Sequence, residues 1–400
     1  MSAAAVLLWI ALAVWVFGAA IACFNCWYFQ RGLGRAIELP RGPQIAIVLP
    51  VRGVPPHLEA FWAGLRAQAY APWRLLVAVE SRDDPAFAAF SDRLSDPSVS
   101  GEIIVAGGAS DGGQKVHNQL AALARLRTED RIIVFADADI VPPSDWLPRL
   151  ARPLADPAVS LVSGYRWLMP EGGGLASAVA SVCNSSYATL VRPRRFNQAW
   201  GGTMALRRDT LDALDIERCW HGVVLDDGPL ARAVRGQGGS VLGPRELLVP
   251  SPISFDWPAA LEFGRRQYTL IRVYMPRYWV LAAAAVTVPV AGWIVGLVAI
   301  GLGSRPALAA LILVVLLDQG RALFRRRAVR VLWGEAGMAP LAGALWLDRY
   351  ATPFWLAIHA GVIWSTLFKR RIAWAGRVYR LDGRHRVTIV AGPGAAAGGG

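Results

Sequence analysis

The stretch IIVFADADIVPPSDWL, residues 132–147, decides the fold expectation for this chain. Its apolar run, Ile132 to Phe135, leads through one alanine into Asp137 and Asp139. A short, continuous apolar run is typical of a strand that is buried on both faces of a parallel sheet. A carboxylate at the end of such a strand loses its hydration, and two neighbouring carboxylates also repel each other. The stretch therefore predicts a buried strand whose carboxyl end carries paired or ligand-bound aspartates.

Apolar runs of the same kind precede this one, and segments with helical periodicity separate them. The apolar runs are IAIVLPV at 45–51, LLVAVE at 75–80 and IIVA at 103–106, and the helical segments are 57–69 and 115–127. Alternation of strand and helix predicts an α/β, doubly wound, Rossmann-like sheet. Ligands of such sheets bind beyond the carboxyl ends of the strands, which is where Glu80 and Asp137 fall.

Long apolar segments at both ends of the chain predict a membrane protein. Hydrophobic residues make up 54% of the 400 residues, which is high for a soluble enzyme. Residues 4–24 are long enough to cross a bilayer, and they lack the charged start and the cleavage site of a signal peptide. We therefore expect an anchor there, a second span at 278–302 and a shorter third span at 306–317.

The predicted organisation has four parts. These are a transmembrane anchor at 1–28, a cytoplasmic catalytic domain at 44–275, transmembrane or interfacial helices at 278–370, and a basic cytoplasmic segment with a disordered tail at 371–400. Within the third part we expect a basic loop at 321–330, followed at 338–368 by either a hairpin or an interfacial helix with a re-entrant segment. Arginines follow the anchor, so the positive-inside rule places the next segment in the cytoplasm, which in a bacterium means the inner membrane.

The formal net charge of +13 comes almost entirely from arginine. Such a charge fits either nucleic acid or anionic lipid as a partner. The basic residues cluster beside apolar segments, at 321–330 and 369–386, and the sequence contains no nucleic-acid-binding module. We therefore expect contact with the membrane and no nucleic-acid partner, with a non-catalytic membrane scaffold as the alternative from a different class. The four cysteines form no disulfide or zinc pattern.

A divalent cation between Asp137 and Asp139 would relieve both the lost hydration and the repulsion. Oxygen ligands suit Mg²⁺ or Mn²⁺, and Mg²⁺ is commonly held by one or two carboxylates together with substrate phosphates. The pair therefore indicates a site for a metal and a diphosphate. The alternative is structural, because one aspartate can cap the following helix, a role for which Ser144 and Asp145 compete.

Further blocks, in matching order and spacing, resemble the nucleotide-sugar glycosyltransferases of family 2, which have a GT-A fold. The resemblance covers 44–275 and rests on IVLPVRG, QAYAPWRLLVAVESRDDPA, QKVHN, FADADI, GGTMALRRDTL and LDDGPLARAVRGQG. Within that family the likeness is to the ceramide glucosyltransferases. It rests on RDDPAF, on Lys115 with Asn118, and on RIAWAGRVYRL at 371–381, which resembles a distinctive motif outside the catalytic core.

The resemblance implies a role for each matching residue. Asp137 and Asp139 would hold the metal and, with Lys115, the diphosphate of the donor. Asp227, in the place of the family's catalytic base, would deprotonate the acceptor hydroxyl, and Asp226 would support it, although the two can exchange roles. The further donor-side residues that the resemblance implies are Pro50, Arg52, Glu80, Asp83 and Asn118.

Two motifs of the family are not intact in this chain. The early donor-binding aspartate aligns with Ser81, so Glu80 or Asp83 takes that role, and Glu80 is favoured because it ends a strand. The (Q/R)xxRW motif is replaced by FGRRQYTLIRVY at 263–274. The residues expected on the acceptor and diphosphate side are Gly201, Gly202, Arg266, Gln267, Arg272 and Tyr274.

Together these features predict a membrane-bound, inverting, metal-dependent glycosyltransferase of glycolipid biosynthesis. It would move a hexose from a nucleotide sugar to the hydroxyl group of a ceramide-like lipid, and the donor expected first is UDP-glucose. The alternatives within the family are enzymes that act on a polyprenyl phosphate, on diacylglycerol or on a growing polysaccharide. The altered (Q/R)xxRW stretch and the small membrane part argue against the polysaccharide.

Overall fold

The computed structural model describes residues 2–34, 41–191 and 193–391, and the chain forms two compact units. The sheet unit comprises Ala36–Trp167, Arg192–Pro252 and Arg370–Gly400. The helical unit comprises Met1–Arg35, Leu168–Val191 and Ile253–Lys369. Each unit is therefore assembled from three separated stretches, and the C-terminal stretch folds together with the first strands.

Seven strands form the central sheet of the sheet unit. They are β1 (Arg41–Pro50), β2 (Ala71–Val79), β3 (Gly101–Val105), β4 (Ile132–Ala136), β5 (Leu161–Ser163), β7 (Thr203–Arg207) and β8 (Val241–Leu242). Their order is β3-β2-β1-β4-β7-β5-β8, with β1 to β4 parallel and β7 antiparallel to its neighbours. Side chains alternate between the faces of a strand, and every residue from Ile45 to Leu49 is fully buried, so both faces are covered. This confirms the predicted α/β sheet.

The order of the parallel strands reverses at β1. The chain runs outward from β1 to β2 and β3, and then returns to place β4 on the other side of β1. At such a switch point, the loops that leave neighbouring strands diverge and open a crevice at the carboxyl edge. Arg52 follows β1, Glu80 follows β2 and Asp137 follows β4, so the topology brings all three to one edge.

Helices connect the strands of the sheet unit. They are α2 (Leu58–Arg66), α3 (Pro85–Leu94), α4 (Gln114–Leu123), α5 (Trp146–Ala151), α7 (Arg208–Asp212), α8 (Ile216–Trp220) and α9 (Asp227–Gly236). The RDDPAF segment starts α3, because the Asp84 side chain accepts the N–H of Ala86 at 2.9 Å and a proline follows it. Asp84 also accepts the N–H of Gly53 at 2.8 Å, which ties the loop after β2 to the loop after β1.

The C-terminal stretch adds a three-stranded antiparallel sheet to the sheet unit. Its strands are β10 (Arg371–Trp374), β11 (Arg377–Gly383) and β12 (Arg386–Ala391). A two-residue turn joins β10 to β11, with φ of 48° at Ala375 and 70° at Gly376. Positive φ at both positions is what a tight hairpin turn needs to match the twist of its strands. The disordered tail expected at 392–400 lies outside the described residues.

The helical unit contains the apolar segments. Its helices are α1 (Ala3–Arg31), α6 (Leu175–Ala188), α10 (Trp257–Tyr274), α11 (Pro276–Gly301), α12 (Arg305–Trp333), α13 (Ala342–Tyr350) and α14 (Thr352–Trp364). Of the described helices, α1, α11 and α12 are long and apolar enough to cross a membrane. Trp15 of α1 packs against Gly292 and Gly296 of α11, where an added Cβ would come within 2.3 and 2.5 Å of the indole. Glycines of this kind let membrane helices approach closely. The predicted apolar helices at both ends of the chain are confirmed.

The basic stretch 321–330 is helical, and the expectation of a loop there is wrong. Helix α12 continues through it to Trp333 and ends before Gly334, which has a φ of 65°. Arginine is a good helix former, and neither glycine nor proline interrupts this stretch, so the helix stops only at a residue suited to positive φ. The following region, 338–368, contains the two short helices α13 and α14.

Candidate active site

A cluster of charged side chains lies at the carboxyl edge of the sheet, where Asp137 follows β4. Lys115, in the first turn of α4, joins two aspartates of the cluster. Its Nζ is 2.8 Å from Asp137 Oδ1 and 3.2 Å from Asp226 Oδ2. Residues from three of the predicted motifs, FADADI, QKVHN and LDDGPLARA, therefore meet at one place.

Arg166, which sequence reasoning did not identify, is the second cation of the cluster. Its Nη1 is 2.9 Å from Asp139 Oδ2, and its Nη2 is 3.7 Å from Asp137 Oδ2. The guanidinium also lies over the Trp200 ring, 4.6 Å from the ring centroid. Arg166 belongs to β6 (Tyr165–Pro170), which pairs with β9 (Leu248–Ile253), and it contacts both aspartates of the Asp137-x-Asp139 segment, called the DxD segment below.

Burial and charge act in opposite directions on the pKa values of this cluster. For Asp137, burial favours the neutral acid, but the positive charges of Lys115 and Arg166 outweigh it and hold the pKa below its usual value. Burial would also lower the pKa of Lys115, but the charges of Asp137 and Asp226 raise it. Asp137 and Lys115 are therefore held as an ion pair at neutral pH.

Asp226 and Asp227 stand at the start of α9 and have different partners. Gln119 Nε2 donates a hydrogen bond to Asp226 Oδ2 at 2.8 Å. The Asp227 carboxylate accepts the backbone N–H of Gly201 at 3.0 Å and that of Gly228 at 2.5 Å. Asp226 is 1% exposed and Asp227 is 8% exposed, so Asp227 is the more accessible of the two carboxylates.

The environment of Asp227 suits a group that takes up a proton near neutral pH. Burial is the largest cause that raises its pKa to about 7, and the charge of Asp226 adds to it. Lys115 and the two backbone N–H groups act against this rise. A general base works best when its pKa lies near the working pH, because it is then both deprotonated and sufficiently basic.

The GGT segment before β7 closes tightly on this pair of aspartates. A Cβ at Gly201 would lie 2.4 Å from Asp226 Oδ2, and a Cβ at Gly202 would lie 2.1 Å from the Trp200 ring. Only glycine fits at both positions, because any side chain would displace the groups it meets. The two glycines predicted for the acceptor side therefore have a structural reason: they leave room for a carboxylate and an indole of the cluster.

Gly201→Ala is expected to lower kcat/KM by about 10- to 100-fold, because the new methyl group pushes Asp226 away from Lys115. Each tenfold loss corresponds to about 1.4 kcal/mol of transition-state stabilisation. The matched control is Gly236→Ala, at the end of α9, where an added Cβ meets nothing within 4 Å. Steady-state kinetics of the two variants in the same membrane preparation checks the expectation. Equal activity of both variants would contradict this account of Gly201.

Glu80 and Asp83 were the two candidates for the early donor-binding acid, and the structure places them differently. Glu80 follows β2 at the carboxyl edge, and its Oε1 is 2.5 Å from Nη2 of Arg377 in β11. Asp83 is exposed in the turn before α3. Like Arg166, Arg377 is absent from the site residues predicted from the sequence, although it lies in the RIAWAGRVYRL segment on which the resemblance partly rests.

The other donor-side residues lie along the same edge. Pro50 ends β1, and Arg52 is exposed in the loop that follows. Asn118 is buried, and its Nδ2 donates to the carbonyl of Ala78 at 3.1 Å, so its side chain fastens α4 to β2. Direct contact of these three residues with a donor stays a prediction.

The residues predicted from the altered (Q/R)xxRW stretch lie on α10, in the helical unit. Arg266 lies over the Phe263 ring at 5.4 Å, and Arg272 Nη2 donates to the carbonyl of Lys369 at 2.5 Å. Tyr274 is fully buried, whereas Gln267 is half-buried. Their role on the acceptor side stays a prediction.

The carboxylates of the DxD segment fit a hard divalent cation. Asp137 and Asp139 offer oxygen ligands one residue apart, and the Asp139 side chain is 51% exposed, so solvent and substrate oxygens can reach it. Across residues 2–34, 41–191 and 193–391, no group of three or more His, Cys, Asp or Glu side chains is arranged to hold a metal. This donor set suits a metal that takes its remaining ligands from water and phosphate, as Mg²⁺ does.

The mixed sheet with flanking helices resembles that of the GT-A glycosyltransferases, and a comparison with family models shows the family of this chain. The model of glycosyl transferase family 21 matches residues 7–387, so the chain belongs to that family. The family number predicted from the sequence, family 2, is not the one whose model matches. Family 21 is the ceramide glucosyltransferase family, to which the sequence motifs showed a likeness. No curated protein sequence matches the chain.

Solved structures with a similar fold are distant in sequence. A mannosyltransferase of Pyrobaculum calidifontis, solved with GDP-mannose and Mn²⁺, is 17% identical over 90% of this chain and 98% of its own, with a TM-score of 0.47. Glucosyl-3-phosphoglycerate synthase of Mycobacterium tuberculosis, solved with Mn²⁺ and UDP-glucose, is 15% identical over 58% of this chain and 78% of its own, with a TM-score of 0.35. Neither likeness is close enough to assign a donor or an acceptor to this chain.

Proposed function

We propose that the chain transfers glucose from UDP-glucose to the hydroxyl group of a ceramide-like lipid, with inversion at the anomeric carbon. The observation that carries this proposal is the position of Lys115, which joins Asp137 to Asp226 and lies beside Asp227. One cluster then offers groups for a diphosphate and a base for an acceptor. The membership in family 21 supports the lipid acceptor.

On the donor side, Asp137 and Asp139 would hold a divalent cation, Mg²⁺ or Mn²⁺. When bound, such a cation neutralises the negative charge that grows on the departing diphosphate. Lys115 and Arg166 are fixed by the same carboxylates, so two protein cations are also in place before the donor arrives. Charges that need no rearrangement during the reaction contribute more to catalysis than mobile ones.

On the acceptor side, Asp227 would accept the proton of the attacking hydroxyl. The hydroxyl oxygen then forms a bond to the anomeric carbon as the bond to the diphosphate oxygen breaks. A single displacement of this kind inverts the configuration of the sugar. The pKa of about 7 allows Asp227 to be deprotonated at the start of the reaction and to hold the proton afterwards.

The distribution of arginine supports a cytoplasmic sheet unit by the positive-inside rule. Arg31 ends α1, and the basic stretch 321–330 ends α12. If α11 and α12 both cross the membrane, the chain after α12 returns to the side from which α11 starts. Helix α14 has 13 residues, and at about 1.5 Å per residue it is too short to need a crossing of its own.

The test is transfer of radiolabelled sugar by the full chain in lipid nanodiscs. The donors are UDP-glucose, UDP-galactose and GDP-mannose, the acceptors are ceramide, diacylglycerol and a polyprenyl phosphate, and each pair is run with Mg²⁺, with Mn²⁺ and with EDTA. The expected result is a monoglucosylceramide that forms from UDP-glucose only when the metal is present. Proton NMR of the product should show a β linkage, since UDP-glucose carries an α linkage.

The outcomes of this panel separate the alternatives. If label from UDP-glucose appears in diacylglycerol, in polyprenyl phosphate or in a long polymer, and none appears in ceramide, the proposed acceptor is wrong and the proposed donor is correct. An α-linked product would overturn the single displacement by Asp227. The matched negative control is the Asp227→Asn chain in the same nanodiscs.

A further inference from the structure

The C-terminal strand β11 reaches the donor side of the cluster through Arg377. Its Nη2 is 2.5 Å from Glu80 Oε1, and its Nη1 is 2.5 Å from Gln114 Oε1. The Arg377 side chain is only 7% exposed, so both contacts are shielded from water. Hydrogen bonds between charged groups in such surroundings are short, strong and directional.

Gln114, the first residue of helix α4, links Arg377 to that helix and to the loop before it. Its Nε2 donates to Asn118 Oδ1 at 2.8 Å and to the carbonyl of Gly107 at 2.8 Å, and its Oε1 accepts the N–H of Ala109 at 2.8 Å. Lys115, the cation between the aspartates, is the next residue on the same helix. Arg377 therefore fastens the end of β2, where Glu80 lies, to the turn that carries Lys115.

The turn between β10 and β11 meets other residues of the same edge. Lys115 Nζ lies 6.0 Å from the ring centroid of Trp374. A Cβ at Gly376 would lie 2.8 Å from Arg52 Nη1, so this glycine lets the turn approach the loop after β1. Three residues predicted to bind the donor, Arg52, Glu80 and Lys115, thus have a neighbour on the β10–β11 hairpin.

We propose that the β10–β11 hairpin is part of the donor-nucleotide site, with Arg377 as a positioning residue for Glu80 and Lys115. This inference rests on the proposed function, because it assigns the hairpin to the binding of the nucleoside diphosphate part of the donor. A carboxylate that is held by a guanidinium keeps its other lone pairs in fixed directions, which suits recognition of a nucleoside. Arg377 acts through Glu80 and Gln114 and takes no part in the displacement itself.

The experiment compares Arg377→Gln and Arg377→Lys with Arg380→Gln, a control on the same strand. The Arg380 side chain is 48% exposed and pairs with Asp382. Isothermal titration with UDP, without acceptor, gives a Kd, and initial rates give the donor KM and kcat. Loss of one charge-assisted bond is expected to raise Kd and donor KM of Arg377→Gln about 10- to 100-fold, with kcat changed by less than about threefold. Arg377→Lys should be intermediate, because an ammonium group cannot span both partners.

A second variant and a double variant make the test independent of folding. Trp374→Leu, at a half-buried position, is expected to raise donor KM about 3- to 10-fold by removing the ring beside Lys115. In the double variant Glu80→Gln/Arg377→Gln, the loss of UDP binding should be much smaller than the sum of the losses in the two single variants, because each single change already breaks the same Glu80–Arg377 contact. Circular dichroism and thermal unfolding confirm that each variant is folded.

The two proposals fail in different ways. If the unaltered chain binds UDP and transfers sugar while folded Arg377→Gln and Trp374→Leu keep its Kd and donor KM, the hairpin has no role in donor binding. Additive effects of Glu80→Gln and Arg377→Gln would likewise overturn the positioning role. If the unaltered chain binds no nucleotide and transfers no sugar, the proposed function itself is wrong.

Discussion

Asp227→Asn is expected to reduce kcat by about 10³-fold, within the range of 10² to 10⁴ that a general base contributes. The amide is close in shape to the carboxylate, but it cannot take the proton of the acceptor hydroxyl. Donor binding should be unchanged, because Lys115 and the DxD pair remain in place. Measurement of kcat with saturating donor, beside a UDP-binding titration, separates the two effects.

The pH dependence gives an independent check on the same residue. The base acts only when deprotonated, so kcat/KM of the unaltered chain should fall tenfold per pH unit below about 7 and level off above it. Asp227→Asn should lose this dependence. Turnover in Asp227→Asn within a factor of three of the unaltered chain would show that another group is the base, and Asp226→Asn is then the next variant to measure.

The same raised pKa predicts that the inactive variant is the more stable protein. Burial favours the protonated acid, so the folded state loses stability as the pH rises from 3.8 towards 7 and Asp227 is forced to ionise. Asparagine carries no charge and escapes this loss. The Tm of Asp227→Asn should therefore match the unaltered chain at pH 4 and exceed it at pH 8.

The second large effect is expected at the DxD pair, where Asp137→Asn should cost more than Asp139→Asn. Asp137 is 20% exposed and pairs with Lys115 at 2.8 Å, whereas the Asp139 side chain is 51% exposed and pairs with Arg166. We expect kcat/KM to fall about 10³-fold for Asp137→Asn and about 10²-fold for Asp139→Asn, since each change removes an ion pair and a carboxylate that we propose as a ligand of the metal. Both variants should need more Mn²⁺ for half-maximal rate.

The matched control for these variants is Asp145→Asn, a few residues further along the chain. Asp145 pairs with Arg149 at 2.5 Å one helical turn away, and such pairs contribute less than about 1 kcal/mol. Its activity and metal requirement should be those of the unaltered chain. An unchanged Mn²⁺ requirement in Asp137→Asn and Asp139→Asn would show that these two carboxylates do not bind the metal.

Much of the sheet and part of the cluster follow from local sequence. The strand at 132–136 and its two aspartates are a local signal, because an apolar run and a charged end are adjacent in the chain. The helix at 114–123 and Lys115 are likewise local. Periodicity and the positions of charged residues therefore locate the carboxyl edge of the sheet.

The site residues that were not predicted from the sequence are held in place by contacts between segments far apart in the chain. Arg166 reaches Asp139 across 27 residues, and Arg377 reaches Glu80 across 297 residues. Neither arginine stands out among the many others of the chain, since their positions depend on how β6 and β11 are placed. The stretch 321–330, expected to be a loop, is helical, because arginine is a good helix former and no glycine or proline interrupts the stretch.

The interleaved order of the two units has a consequence for biosynthesis. At about 5 to 20 residues per second, the ribosome makes Arg377 roughly 15 to 60 seconds after Glu80, and the segments of α11 and α12 leave it in between. The contact between β11 and the end of β2 can therefore form only on a chain whose membrane helices have already been made. A chain that is released early, or cut after α14, keeps every residue of the DxD and LDDG motifs and still lacks Arg377. In the cell, completion of the proposed nucleotide site is in this way tied to synthesis of the whole chain up to β11.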